Sequence, residues 1–274
     1  MRHNFILAFV AAVTATPTPQ GPPNFPPGMT LLPGQLTTNV TYGPAPKGCS
    51  KYELIIARGT GEPGPFGAVT GDPLVAAVTA AIPDSRGYAA QYPANFNFSY
   101  SPSMGVDDII TRLNTQNSAC PDQKFALVGY SQGAGVIHGV FGPTGPIKPG
   151  LANPRPVLDT SVIPKVLAVV LFGDPGFKGT VGPTGTTVPK LPSAVQEILI
   201  ENCAPGDPVC DPKGSERKKH LAYIGAPYQA ESAAFVIAAF KGEKLPESIK
   251  EASDPVWVAN AEKTRPKGTA APPS

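Results

Sequence analysis

Residues 129–133, Gly-Tyr-Ser-Gln-Gly, offer the clearest chemistry in this chain. An apolar run, Phe-Ala-Leu-Val, leads straight into the first glycine, and a helical segment reads onward from the second. Strand, tight turn and helix around Gly-x-Ser-x-Gly form a nucleophile elbow, which forces the Ser131 hydroxyl to the tip of a strained turn. The glycines lack a Cβ, so strand and helix can approach closely on either side of the serine. The same five residues would also suit a plain glycine-rich strand-to-helix turn, so the partners must decide.

A serine hydroxyl becomes a nucleophile when a histidine takes its proton and a carboxylate orients that histidine. Besides His3 near the N-terminus, in what reads as a secretory signal, the chain has His138 and His220. His138 follows Ser131 by seven residues on the same expected helix, a rise of about 10 Å and too far for a hydrogen bond to Oγ. It reads as a helix-face histidine. His220 follows the last expected strand, in a loop at the edge of the sheet that carries the elbow, and is the base by elimination. Two carboxylates could serve as the acid: Asp174 in Phe-Gly-Asp-Pro, and Asp207 between Cys203 and Cys210. Asp174 could equally start a turn. A disulfide around Asp207 would hold its loop rigidly, as an orienting carboxylate requires, so Asp207 is preferred. The order Ser…Asp…His is that of α/β-hydrolases. For the oxyanion, Gln132 supplies a backbone N–H at the positive end of the helix. The second donor is expected from Arg58-Gly59-Thr60-Gly61-Glu62, which without a site would be a glycine-rich turn.

These residues need a scaffold that brings them to one edge. Apolar stretches predict strands over 52–57, 88–92, 125–129, 166–172 and 197–200, and helices over 73–82, 106–116, 132–140 and 231–240. Such alternation implies βαβ crossovers and a parallel sheet covered on both faces, with sites at the carboxyl ends of the strands. Residues 58–61, Ser131, Asp174 and 202–210 all follow strands at that edge. Segments 142–158 and 176–192 read as Pro/Gly loops.

At 274 residues, 41% hydrophobic, the chain can bury one sizeable core. A net charge of +2 without a large basic cluster argues against nucleic acid. Residues 1–15 read as a secretory signal, with Arg2 and His3 before a short apolar run and a small-residue cleavage site. Residues 16–48 form a Pro/Gly-rich leader, 49–241 the folded domain, and 242–274 a charged Pro/Ala-rich tail. No stretch approaches the roughly 20 apolar residues of a spanning helix. Four cysteines suit two disulfides in an oxidising compartment, and sequons at Asn39 and Asn97 would permit glycosylation in a eukaryotic host. The expectation is a secreted monomer without stable membrane insertion.

Residues 57–60 (Ala-Arg-Gly-Thr), the Gly-Tyr-Ser-Gln-Gly elbow, Cys203…Gly206-Asp207…Val209-Cys210 and residues 220–223 (His-Leu-Ala-Tyr) together resemble the cutinase family. That family includes secreted serine esterases, acetylxylan esterases and mycobacterial cutinase-like esterases, and the resemblance covers about residues 49–241. It implies an α/β-hydrolase of cutinase type, with a central five-stranded parallel sheet and helices on both faces. It further implies Ser131 as nucleophile, Asp207 as acid, His220 as base, Thr60 and Gln132 in the oxyanion hole, and bridges Cys49–Cys120 and Cys203–Cys210. No metal or cofactor is expected. One departure stands out: residues 211–219, just before the base, are strongly charged where cutinases tend to be apolar. The expected substrate is a carboxylic ester: a cutin-like polyester, a short or medium-chain ester, or acetylated xylan. The rival from another class is a non-catalytic secreted interaction protein on the same fold.

Overall fold

The computed structural model describes residues 42–143, 151–177, 188–224 and 227–245. The expected signal, most of the leader with its Asn39 sequon, and nearly all of the tail lie outside the described residues. Five strands, β1 (Tyr52–Ala57), β2 (Ser85–Ala89), β3 (Lys124–Tyr130), β4 (Val166–Phe172) and β5 (Leu199–Asn202), form one sheet in the order β2-β1-β3-β4-β5. Every pairing is parallel. The helices are α1 (Gly71–Ala81), α2 (Ser101–Ala119), α3 (Gln132–Phe141), the single turn α4 (Ser193–Gln196) and α5 (Pro227–Lys241).

Successive strand residues point to opposite faces, and here both faces are apolar, as a doubly covered parallel sheet requires. Leu54, Ile56, Ala126, Val128, Val170 and Phe172 pack with α1 and α5 residues such as Leu74, Val78, Phe235 and Val236. Ile55, Leu127, Val169 and Leu171 pack on the other side with Ile109 and Leu113 of α2 and with Val136 and Ile137 of α3. The three central strands therefore read as continuous hydrophobic runs, which is why their positions were legible.

The edge strands lie elsewhere than the apolar windows suggest. β2 occupies Ser85–Ala89 instead of 88–92, because Ser85 pairs with Tyr52 and Arg86 with Glu53. Arg86 Nε donates to the buried Glu53 carboxylate at 2.6 Å, so this edge accepts polar residues that an apolar scan passes over. β5 begins at Leu199 because residues 193–196 form a helical turn, and it ends on Asn202, whose Nδ2 donates to Leu171 O at 3.1 Å. Helices α2 and α5 start four or five residues early, each through a proline in its first turn, where the missing N–H costs nothing. Disulfides join Cys49 to Cys120 and Cys203 to Cys210, the two bridges the resemblance implies. Asn97 of the second sequon is exposed.

Candidate active site

Ser131 links β3 to α3 with φ 53° and ψ −116°, a left-handed conformation that a side chain adopts only under constraint. The constraint is steric and local. A Cβ on Gly133 would lie 1.9 Å from the Ala57 carbonyl, and one on Gly129 would lie 2.6 Å from the Gly133 carbonyl. Only glycine permits β1, β3 and α3 to meet so closely. The Ser131 N–H donates to Phe172 O at 2.9 Å, tying the elbow to the end of β4.

A loop carrying Asp207 and the short 3-10 helical turn Arg217–Leu221 carrying His220 bring the carboxylate and the imidazole together. Both oxygens of Asp207 lie within reach of His220 Nδ1, at 3.0 and 2.9 Å. Asp207 is fully buried, and its Oδ1 also accepts the Val209 N–H at 2.8 Å. The Tyr223 hydroxyl donates to Oδ2 at 2.6 Å. With Nδ1 committed to Asp207, Nε2 is the nitrogen left for proton transfer. His220 is also held from the elbow itself: Tyr130 donates its hydroxyl to the His220 carbonyl at 2.6 Å and stacks on the imidazole, centroids 5.0 Å apart. Burial, together with the nearby Asp207 charge, raises both Tyr130 and Tyr223 well above the usual phenol range, so both remain neutral donors. Gly173, at φ +51°, closes the third side; a Cβ there would lie 2.7 Å from His220 Cε1 and 3.1 Å from Asp207 Oδ2.

Asp174, the alternative acid, is engaged elsewhere. His138 Nε2 approaches its Oδ2 at 2.9 Å, while His138 Nδ1 donates to Pro189 O. His138 lies on a face of α3, and that face is buried, leaving it 4% exposed. Burial lowers its pKa, yet the hydrogen bond to Asp174, its charge and the Pro189 carbonyl outweigh that and leave it raised. The turn reading of Asp174 also holds, since its Oδ1 accepts the Gly176 N–H at 2.9 Å. Together with Glu201 these side chains place ligand atoms within 4.8 Å of one another, the one such grouping among the described residues that could hold a cation.

Thr60 and Gln132 are hydrogen-bonded to each other. Gln132 Nε2 donates to Thr60 Oγ1 at 3.0 Å and to Asn95 O at 2.7 Å. The Thr60 loop is held from below by Glu62, which accepts the Gly59 N–H and, at 2.8 Å, the Val69 N–H. Burial pushes Glu62 up to about 7 despite those bonds. Sequence reasoning missed Tyr130, Tyr223, Asn95 and Glu62 as parts of this assembly. The only available signal was their adjacency to motif residues.

A five-stranded parallel sheet with serine on a strand–helix elbow and an Asp–His pair at the same edge defines an α/β-hydrolase fold. The family model described as Cutinase matches residues 48–240. Among relatives, the phospholipase Culp4 of Mycobacterium tuberculosis is 34% identical over 190 residues, covering 69% of this chain and 79% of that protein. The cutinase of Botryotinia fuckeliana is 29% identical, covering 70% and 86% respectively. The solved catalytic core of acetyl xylan esterase from Trichoderma reesei superposes with a TM-score of 0.57 at 25% identity, over 70% of this chain and 100% of that one. The chain belongs to the cutinase family and is a carboxylic ester hydrolase.

Proposed function

We propose that the chain is a secreted serine esterase working through an acyl-enzyme, with Ser131 as nucleophile, His220 as general base and Asp207 as the orienting acid. The observation that carries this reading is the buried Asp207–His220 pair, clamped to the elbow through Tyr130. Ser131 Oγ attacks the ester carbonyl as its proton passes to His220 Nε2, and Asp207 stabilises the imidazolium so formed. The oxyanion is met by the Gln132 N–H and the Thr60 hydroxyl. His220 then protonates the departing alkoxide. Water, deprotonated by the same nitrogen, attacks the acyl-enzyme, and collapse of the second oxyanion frees the acid and returns the proton to Ser131. Two disulfides suit the oxidising compartment that export implies.

The test is turnover of a short-chain chromogenic ester by folded variants. Ser131→Ala and His220→Ala each lose several orders of magnitude in kcat, whereas His138→Ala stays catalytically competent when folded. Full activity in Ser131→Ala, or a dead but folded His138→Ala, overturns the assignment.

The relatives' names span phospholipid, cutin and acetylated xylan. Lys213 and Lys218, both exposed in the segment that leads into His220, favour accessible short or medium-chain esters, because desolvating them against a fatty surface costs energy. Specificity constants across acyl chain length, with emulsified triglyceride alongside, test this. A maximum at long chains with a jump at the emulsion interface contradicts it.

A further inference from the structure

The orientation of the Gln132 side-chain amide decides whether the Thr60 hydroxyl can serve an oxyanion, and one buried residue of α2 controls that orientation. Ser101 is fully buried in the first turn of α2 and has a single hydroxyl hydrogen to give. The backbone N–H of Asn95 can only donate, and it does so to Ser101 Oγ at 3.2 Å. Ser101 Oγ lies 2.7 Å from Gln132 Oε1 and spends its hydrogen there. The amide oxygen is thereby fixed toward α2, and the NH2 group faces Asn95 O and Thr60 Oγ1. Thr60 consequently accepts from Gln132, and its own hydrogen is not consumed by that contact. With the amide turned over, Oε1 would oppose the Asn95 carbonyl and would draw the Thr60 hydrogen to itself.

We propose that Ser101 is a positioning residue of the oxyanion hole, acting through Gln132 to keep the Thr60 O–H available to the developing negative charge. Ser101 touches no reacting atom. Its effect depends on hydrogen-bond polarity relayed over Gln132, and it rests on the oxyanion reading given above.

The experiment is a double-mutant cycle of Ser101→Ala with Thr60→Val, read by kcat, KM and thermal unfolding. Thr60→Val alone tests the underlying reading: loss of one oxyanion donor lowers kcat about 10²–10³-fold. Ser101→Ala lowers kcat about 10-fold or more, with KM changed less than about threefold, since only transition-state stabilisation is lost. In the Thr60→Val background, Ser101→Ala has little further effect on kcat, because the hydroxyl it serves is gone. Ser101→Thr, which keeps the hydroxyl, recovers most of the rate. A thionoester adds an independent reading, because sulfur profits less from a hydroxyl donor; Ser101→Ala narrows the ester-to-thionoester rate ratio. Ser101→Ala with wild-type kcat overturns the inference. So does a loss of rate that is equally large with and without the Thr60 hydroxyl, or that simply follows a lowered Tm. A Thr60→Val variant with unchanged kcat instead sinks the oxyanion reading on which the inference stands.

Discussion

The Tyr223 hydroxyl is the most informative single atom to delete. Tyr223→Phe keeps the ring, which makes edge contacts with Tyr130, Phe172, Tyr228 and His220, so packing is preserved. Two hydrogen bonds go: the donation to Asp207 Oδ2 at 2.6 Å and the acceptance of the Ala204 N–H at 3.1 Å. Both sites are buried, so nothing in the unchanged structure replaces the lost partner. A bond to a charged group contributes about 1.5–3 kcal/mol, and an orphaned buried N–H costs about 1–3 kcal/mol. Taken together, and allowing for their shared atom, the expected loss is about 3 kcal/mol. For a domain of this size that lowers Tm by about 6–12 °C. The rate responds through a different route. Asp207 keeps the Val209 N–H and His220 but has lost its shortest donor, so the imidazole is held less firmly. We expect kcat to fall about 10-fold, well short of the roughly 10⁴-fold that follows from disabling the carboxylate itself. The assays are thermal unfolding and initial rates on a soluble short-chain ester. A Tm within about 1 °C of wild type, or an undiminished kcat, refutes the claim that this hydroxyl holds the acid.

The two disulfides should separate activity from stability. Closure entropy for the separations of 7 and 71 residues stabilises by about 2.4 and about 4.4 kcal/mol respectively. Cys203→Ser/Cys210→Ser is expected to reduce turnover more than Tm, and Cys49→Ser/Cys120→Ser the reverse, checked by rates and melts side by side. The pH dependence of stability follows from Glu62, whose folded pKa of about 7 lies above its ordinary 4.5. A carboxyl raised on folding favours the native state at low pH, and this contribution is lost as pH rises from about 4.5 to 7. Glu62→Gln should flatten the Tm–pH curve across that window, and an unaltered slope would falsify the assignment. His138, also raised above its ordinary 6.5, adds a loss of the same sign as pH climbs through its folded pKa. Gly173→Ala should cripple turnover even if folded, because its Cβ would collide with His220; near wild-type kcat in a soluble variant would contradict that geometry.

Steric and periodic constraints are local, and the sequence by itself determined whatever depends on them. Glycine at 129 and 133 announces a strand and helix in close approach, so the strained Ser131 was legible from five residues. The central strands were legible because burial on both faces demands unbroken apolar runs. The proposal of His220 over His138 also rests on local geometry, since His138 lies about two helical turns from the elbow. The edge strands were displaced by two or three residues, because an ion pair such as Arg86–Glu53 is visible only once β1 and β2 are paired. The sequence favoured Asp207 over Asp174, but only tertiary structure showed where each goes, Asp174 to His138 across 36 residues and Asp207 to His220 across 13. Tertiary structure alone placed Tyr130 under His220, Tyr223 on Asp207 and Ser101 behind Gln132. Those choices turn on which donor meets which acceptor over distances of tens of residues. A hydroxyl looks the same in sequence whether it faces water or a buried carboxylate, and only the packed sheet with its loops decides between them.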